Sequence, residues 1–282
     1  MKTAVTLASG QLGAAIAQQL IQQLGKDQVV GIARTPEKAA QLGIEIREGD
    51  YNHREHFDQA LQGVDVVVIV SGNAHPQARI QQHRNVIEAA KLNGVQKIVY
   101  TSIVGDEQRS AFSPIVQSNR QTEQDVQQSG LAWAIGRNGI YIEPDLEYVD
   151  TYVKEGGIIN CAGEGKCAYT SRAELAYAYA QMALGDSHNG QVYDLVGEPI
   201  TQGQLADLIN QVYGTQLSYQ AVSAEAYEQD RKAALGEFLG TVIAGIYKGI
   251  QIGAYDLPSD FARAAGRAHM GPLEMMKAFK RG

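Results

Sequence analysis

The chain has 282 residues, 44% of them hydrophobic and 20% charged, enough for one large domain or two smaller ones with sizeable buried cores. With 31 acidic against 24 basic residues the net charge is −7, which offers no broad positive field to nucleic acid or to an anionic membrane. The N-terminus has no apolar signal-like core, and the longest apolar run, residues 64–70, is far short of the roughly 20 residues that span a bilayer. A soluble, cytoplasmic protein without nucleic-acid or membrane partners is expected.

In chain order, strands are expected over residues 3–6, 29–33, 44–47, 64–70, 95–101 and 131–135. Several are rich in Val and Ile, as strands covered on both faces are. Helical patterns separate them. Leu12, Ile16, Leu20 and Leu24 recur every four residues, and residues 77–93 carry Ile80, Val86, Ile87 and Ala90 before a stop at Gly94. This alternation predicts an α/β fold with a doubly wound parallel sheet of the Rossmann type.

Beyond Arg137 the rhythm weakens and glycines thicken through "KEGGIINCAGEGKCAY". We therefore expect a dinucleotide-binding domain over residues 1–145 and a smaller α/β substrate lobe over 146–282, with some of its strands rejoining the main sheet. There "VYDLVG" reads as a strand, and Thr201 with Gln204 as a capping box opening a helix over 205–213. Leu235, Leu239, Ile243, Ile246 and Ile250 recur at helical spacing, which predicts a core-facing or dimer-facing helix rather than a lid. A homodimer is accordingly among the expectations. Cys161 and Cys167 form neither a C-x-x-C pair nor a zinc set and read as two reduced thiols. His53 and His56 would need a further ligand to hold a metal, and none is expected.

The stretch "TAVTLASGQLG", residues 3–13, carries the chemistry. Gly10 follows the first strand and Gly13 opens the first helix, where free backbone N–H groups and the helix dipole can hold a pyrophosphate. With 30 glycines in the chain a G-x-x-G pair is weak alone, but its place at the first strand–helix turn, ahead of five more alternating units, points to a dinucleotide. The alternative is a tight structural turn in an α/β protein that binds something else.

The blocks "SGQLG", "GIARTPEKA", "GDYNH", "ALQGVDVVVIVSG", "QHRNVIEAAKLNGVQKIVYTS", "TEQDVQQSGLAWAIGRNGIY" and "GQVYDLVG" resemble, in order and spacing, the NmrA-like branch of the atypical short-chain dehydrogenases. Within that branch they are similar to the type-2 NADPH:quinone oxidoreductases and triphenylmethane reductases. The likeness covers about residues 1–220. The family's T-G-A-T-G-Q-L-G fingerprint falls on Thr6 to Gly13, so Leu7 replaces the first glycine, which eases the turn, while the two later glycines are kept. A slightly re-routed turn is expected to spare the leucine a strained conformation.

The resemblance implies NADPH as cofactor, with Ser9, Gly10, Gln11, Leu12, Gly13, Arg34, Asp50, Tyr51, Ser71, Gly72, Thr101 and Ser102 as cofactor-binding residues. It places Asn138 and Tyr141, in the R-N-G-x-Y block, beside the nicotinamide and substrate as catalytic residues. A turn amide and an interlobe packing aromatic are the alternatives for that pair. The family's H-x-x-T-E block falls on Asn119 to Glu123, so its histidine has become Asn119. None of the 14 tyrosines has a lysine four positions on, which argues against the Tyr–Lys proton donation of alcohol–ketone enzymes. The leading expectation is an NADPH-dependent reductase that transfers hydride directly to a conjugated small-molecule acceptor, a quinone or dye. A redox sensor that binds the dinucleotide without turnover is the alternative, favoured by Leu7 and Asn119.

Overall fold

The computed structural model describes residues 1–281. Its first half runs β1 (Thr3–Val5), α1 (Gln11–Leu24), β2 (Val29–Ala33), β3 (Glu45–Glu48), α2 (Arg54–Ala60), β4 (Val66–Val70), α3 (Pro76–Leu92), β5 (Lys97–Ile103), α4 (Ser113–Gln127) and β6 (Ala132–Asn138). There follow α5 (Glu143–Glu147), α6 (Val149–Glu155), β7 (Gly157–Asn160), β8 (Lys166–Ala168), α7 (Arg172–Leu184), β9 (Gln191–Leu195), β10 (Pro199–Thr201), α8 (Gln202–Tyr213) and β11 (Ser218–Ala221). Four helices close the chain: α9 (Ala224–Leu235), α10 (Glu237–Gln251), α11 (Phe261–Ala265) and α12 (Pro272–Arg281).

Seven strands form one parallel sheet in the order β3-β2-β1-β4-β5-β6-β9. The apolar strands β2 and β4 are buried throughout, because helices cover both faces. On one face Leu12, Ile16 and Leu20 of α1 pack with α7 against Val5, Val68 and Val99. On the other, α2, α3 and α4 cover Val30, Ile32, Val67 and Ile98. Strand order reverses between β1 and β4, which opens a crevice at their carboxyl ends.

The C-terminal half contributes β9 to this sheet and otherwise makes two small ones, β8 with β10 antiparallel and β7 with β11 parallel. Thr201 and Gln204 close the expected capping box at the start of α8. Cys161 and Cys167 are buried and unpaired. No helix among the described residues is long and apolar enough to cross a membrane.

One expectation is corrected and another refined. The turn after β1 is not re-routed: Leu7 sits at φ 50°, alone among the described non-glycine residues at positive φ, a conformation costing about 1–2 kcal/mol for a leucine. Its carbonyl accepts the Gly10 amide at 2.8 Å and lies where a Cβ on Gly13 would meet it at 2.3 Å, so helix and turn are pressed together around that glycine. The apolar stripe is divided: Leu235 ends α9 while Leu239, Ile243, Ile246 and Ile250 lie on α10, Ile250 being buried in the core of the C-terminal half and Leu235 and Leu239 exposed. It roofs a cavity between the sheet and the C-terminal helices.

Candidate active site

The cavity holds about 980 Å³ and runs from the first turn of α1, past the ends of β4, β5 and β6, to a chamber under α9 and α10. At the α1 end the N–H groups of Gln11, Leu12 and Gly13 have no hydrogen-bond partner, and the N-cap is Gly10, which has no side chain to fill the place. Leu12 and Gly13 are buried; Ser9, Gly10 and Gln11 are exposed. Ser71 and Gly72 continue the wall from β4. The Ser71 amide donates to Thr101 Oγ1 at 2.9 Å and ties β4 to β5, and its hydroxyl donates to Asn119 Oδ1 at 3.3 Å. Leu7 projects into this crevice, its Cδ1 3.9 Å from where a side chain on Gly72 would begin.

Arg79, on the first turn of α3, was missed by sequence reasoning, since an arginine near a helix start reads as a solvated residue. It is 6% exposed and lines the cavity. One guanidinium nitrogen donates to the Ala74 carbonyl at 3.1 Å, and its buried Nε has no partner. Among the described residues no carboxylate pairs with it. Its neighbour His83 is kept neutral, its pKa lowered to about 3 by burial and by the Arg79 charge. An unpaired buried cation beside a helix N-terminus suits an anionic group, so the residues here fit a dinucleotide pyrophosphate.

Asn138 and Tyr141 are brought together. The Asn138 amide donates to Tyr141 Oη at 3.1 Å, and its Oδ1 lies 2.6 Å from the Tyr179 hydroxyl, so its orientation is fixed. A Cβ on Gly136 would meet that hydroxyl at 2.5 Å; glycine is what lets Tyr179 reach across. Tyr141 therefore keeps its own proton undirected toward protein groups, and burial pushes its pKa up to about 12. Arg172 stacks over its ring at 5.3 Å. Arg137 of the same block works behind the sheet: it and Arg120 clasp Glu123, with the Arg137 bonds at 2.9 and 2.7 Å. Burial alone would raise the Glu123 pKa, but these bonds and charges outweigh it and hold the carboxyl below its usual range.

Five of the expected cofactor residues do not line the cavity: Ser9, Arg34, Asp50, Tyr51 and Ser102. Ser102 is fully buried and donates to Glu123 at 2.6 Å; successive strand residues face opposite ways, so only Thr101 reaches the cleft. The Tyr51 hydroxyl is engaged with Thr6 at 2.6 Å and with the Val70 carbonyl at 2.7 Å, which makes it a buried tie between β1 and β4. Asp50 caps its own turn through the Asn52 amide at 2.9 Å. Arg34 is exposed at the carboxyl end of β2, next to β1, without a hydrogen-bond partner. Asn119 is buried, accepting from Tyr100 at 2.7 Å and donating to the Ile115 carbonyl at 2.8 Å. Glu55 joins His53 and His56 so that potential ligand atoms lie within 4.8 Å of one another, on the surface.

The profile of an NAD(P)H-binding family matches residues 8–183, which hold the α1 turn, Arg79 and the Asn138–Tyr141 pair. The chain belongs to this NAD(P)H-binding family. It is 37% identical to quinone oxidoreductase 2 of Escherichia coli over 238 residues, 82% of this chain and 80% of that protein. It is 28% identical to an NmrA-like family domain-containing oxidoreductase of Aspergillus flavus over 257 residues, 86% and 83% of the two chains. The crystal structure of the Citrobacter sp. triphenylmethane reductase complexed with NADP(H) superposes with a TM-score of 0.90, at 30% identity and over 99% of both chains. The protein is thus an NAD(P)H-dependent oxidoreductase of the NmrA-like kind with a Rossmann-type fold.

Proposed function

We propose that this oxidoreductase transfers hydride from NADPH directly to a quinone-like or other conjugated acceptor held in the chamber under α9 and α10. The observation that carries this is the continuity of the cavity, from the unpartnered amides of α1 to the Asn138–Tyr141 pair and on into an aromatic chamber. In this reading Gly10 to Gly13, Ser71, Gly72, Thr101 and Arg79 form the dinucleotide's bed, and Arg34 meets the ribose phosphate. When bound, the reduced nicotinamide supplies the hydride. Asn138 orients Tyr141, whose hydroxyl donates a hydrogen bond to an acceptor oxygen. The apolar roof from Ile243 to Ile250 excludes water. The absence of a Tyr–Lys pair fits an acceptor that delocalises the incoming charge by itself. Two unpaired buried thiols accord with a reducing, cytoplasmic setting.

NADPH oxidation followed at 340 nm against benzoquinones, naphthoquinones and triphenylmethane dyes tests this. Turnover of at least one class is expected. Cofactor binding without turnover of any would favour the redox-sensor reading, for which the strained Leu7 in the crevice is the specific observation.

A further inference from the structure

A side-chain amide has two ends of nearly the same shape and opposite chemistry, so which end of Asn138 faces Tyr141 decides where the Tyr141 proton goes. With Nδ2 toward it, Tyr141 accepts a hydrogen bond and its own proton stays free. With Oδ1 toward it, the amide takes that proton. The contacts on the two sides of Asn138 differ in length. The Tyr179 hydroxyl lies 2.6 Å from one end, the spacing of an O–H···O bond, and Tyr141 Oη lies 3.1 Å from the other, the spacing of an N–H···O bond. Oδ1 is therefore held by Tyr179, and Nδ2 is left for Tyr141.

Tyr179 comes from α7, is fully buried and does not line the cavity. Gly136 and Asn138 are two apart on β6 and share the face that α7 covers, while Arg137 between them turns to Glu123 on the other. The Tyr179 ring crosses Gly136 so closely that a Cβ there would meet a ring carbon at 2.7 Å. Its hydroxyl also faces the Gly136 carbonyl at 2.8 Å, an acceptor that keeps the phenol proton on the Asn138 side of the ring.

We propose that Tyr179 is a positioning residue, which fixes the Asn138 amide in the one orientation that leaves the Tyr141 proton free for an acceptor oxygen. This rests on the reductase reading, in which Tyr141 is the donor. The three groups form a chain from the core to the cleft: Tyr179 donates to Asn138 Oδ1, Asn138 Nδ2 donates to Tyr141 Oη, and Tyr141 donates to the acceptor. Each bond polarises the next, so the buried phenol also makes Tyr141 a better donor. Without the Tyr179 hydroxyl nothing holds Oδ1 on the α7 side, and an amide turned about captures the proton that the acceptor needs.

The test is a double-mutant cycle of Tyr179→Phe and Tyr141→Phe, with NADPH oxidation followed at 340 nm. Tyr179→Phe keeps the ring and its packing, and the thermal transition checks the fold. Alone it should lower kcat/KM for benzoquinone by about tenfold, as Tyr141→Phe does, and it should add no further loss in the Tyr141→Phe background. NADPH affinity, and turnover of a cationic triphenylmethane dye that has no oxygen to receive the bond, should stay within about twofold. No loss in the single variant, an equal loss in both backgrounds, or an equal loss for quinone and dye overturns the proposal. Should neither acceptor be turned over, the reductase reading fails, and the NMR resonance of the Asn138 side-chain amide, identified by its loss in Asn138→Asp, decides the positioning role by itself. Tyr141→Phe should displace that resonance in the protein that keeps Tyr179 and markedly less in Tyr179→Phe; the same displacement in both overturns the role.

Discussion

The Gly10 amide donates to the Leu7 carbonyl at 2.8 Å, and that bond closes a turn that puts the leucine at φ 50° with its side chain in the cofactor crevice. The two consequences of this geometry are separable. Glycine at position 7 would take the same backbone without strain and would clear the crevice. Leu7→Gly should tighten NADPH binding by up to about tenfold, about 1.4 kcal/mol, and should not lower the thermal transition. Fluorescence titration of the cofactor reads the first effect and calorimetry the second. Weaker binding would show that the leucine contributes contact rather than obstruction.

Arg34 is expected to decide the choice between cofactors. Its guanidinium is exposed and unpaired at the end of β2, where a doubly wound sheet brings the adenosine ribose. A bidentate contact to the 2′-phosphate would contribute roughly 1.5–3 kcal/mol. NADPH should therefore be preferred over NADH by on the order of tenfold or more. In Arg34→Ala the preference should collapse through weaker NADPH binding while NADH affinity barely changes; both dissociation constants, measured in both proteins, check it. Equal loss for the two cofactors would remove the arginine from this role.

Tyr141 stays protonated throughout the neutral range, because burial raises its pKa to about 12, and Asn138 fixes it from behind. Quinone turnover should consequently be flat between about pH 7 and 9, as no group of this pair titrates there. Tyr141→Phe should lower kcat/KM for a quinone by about tenfold, the worth of one hydrogen bond, and leave a cationic triphenylmethane dye within about twofold, as that acceptor has no oxygen to receive the bond. A bell-shaped profile that flattens in Tyr141→Phe would reveal a titrating acid.

Asp145 should limit stability. Burial raises its pKa from 3.8 to about 6, so the folded chain binds its proton more tightly than the unfolded one. The stabilising contribution is complete below about pH 4 and is lost as pH rises through about 6. Asp145→Asn keeps the hydrogen bonds from the Tyr152 and Tyr247 hydroxyls and removes the charge. Its stability should exceed the wild type's by about 2–3 kcal/mol at pH 8, with no gain at pH 4. Urea unfolding at both pH values measures this, and an equal difference at the two would mean that the carboxylate does not titrate in that window.

The sequence by itself determined the parts whose signal is local. Val- and Ile-rich runs, the four-residue stripe of α1 and the Gly10–Gly13 turn fix strand, helix and the turn between them within a few residues of chain, and the parallel order follows from their alternation. The Thr201 capping box was legible for the same reason, since both its partners lie within one helical turn. What tertiary structure decided are the properties that arise between distant segments. Thr101 and Ser102 are adjacent, and only the packing of α4 behind β5 shows that the second belongs to Glu123 rather than to the cleft. Tyr51 sits in a family block, yet Thr6 and Val70, 45 and 19 residues away, claim its hydroxyl. The stripe on α10 announces an apolar face but not what that face covers, because periodicity records direction on a helix and carries no information about its neighbour. Arg79 and Asp145 look in sequence like ordinary surface charges. Burial without a counter-charge, which gives each its chemistry, exists only once α3 closes on the sheet and α5 meets α10.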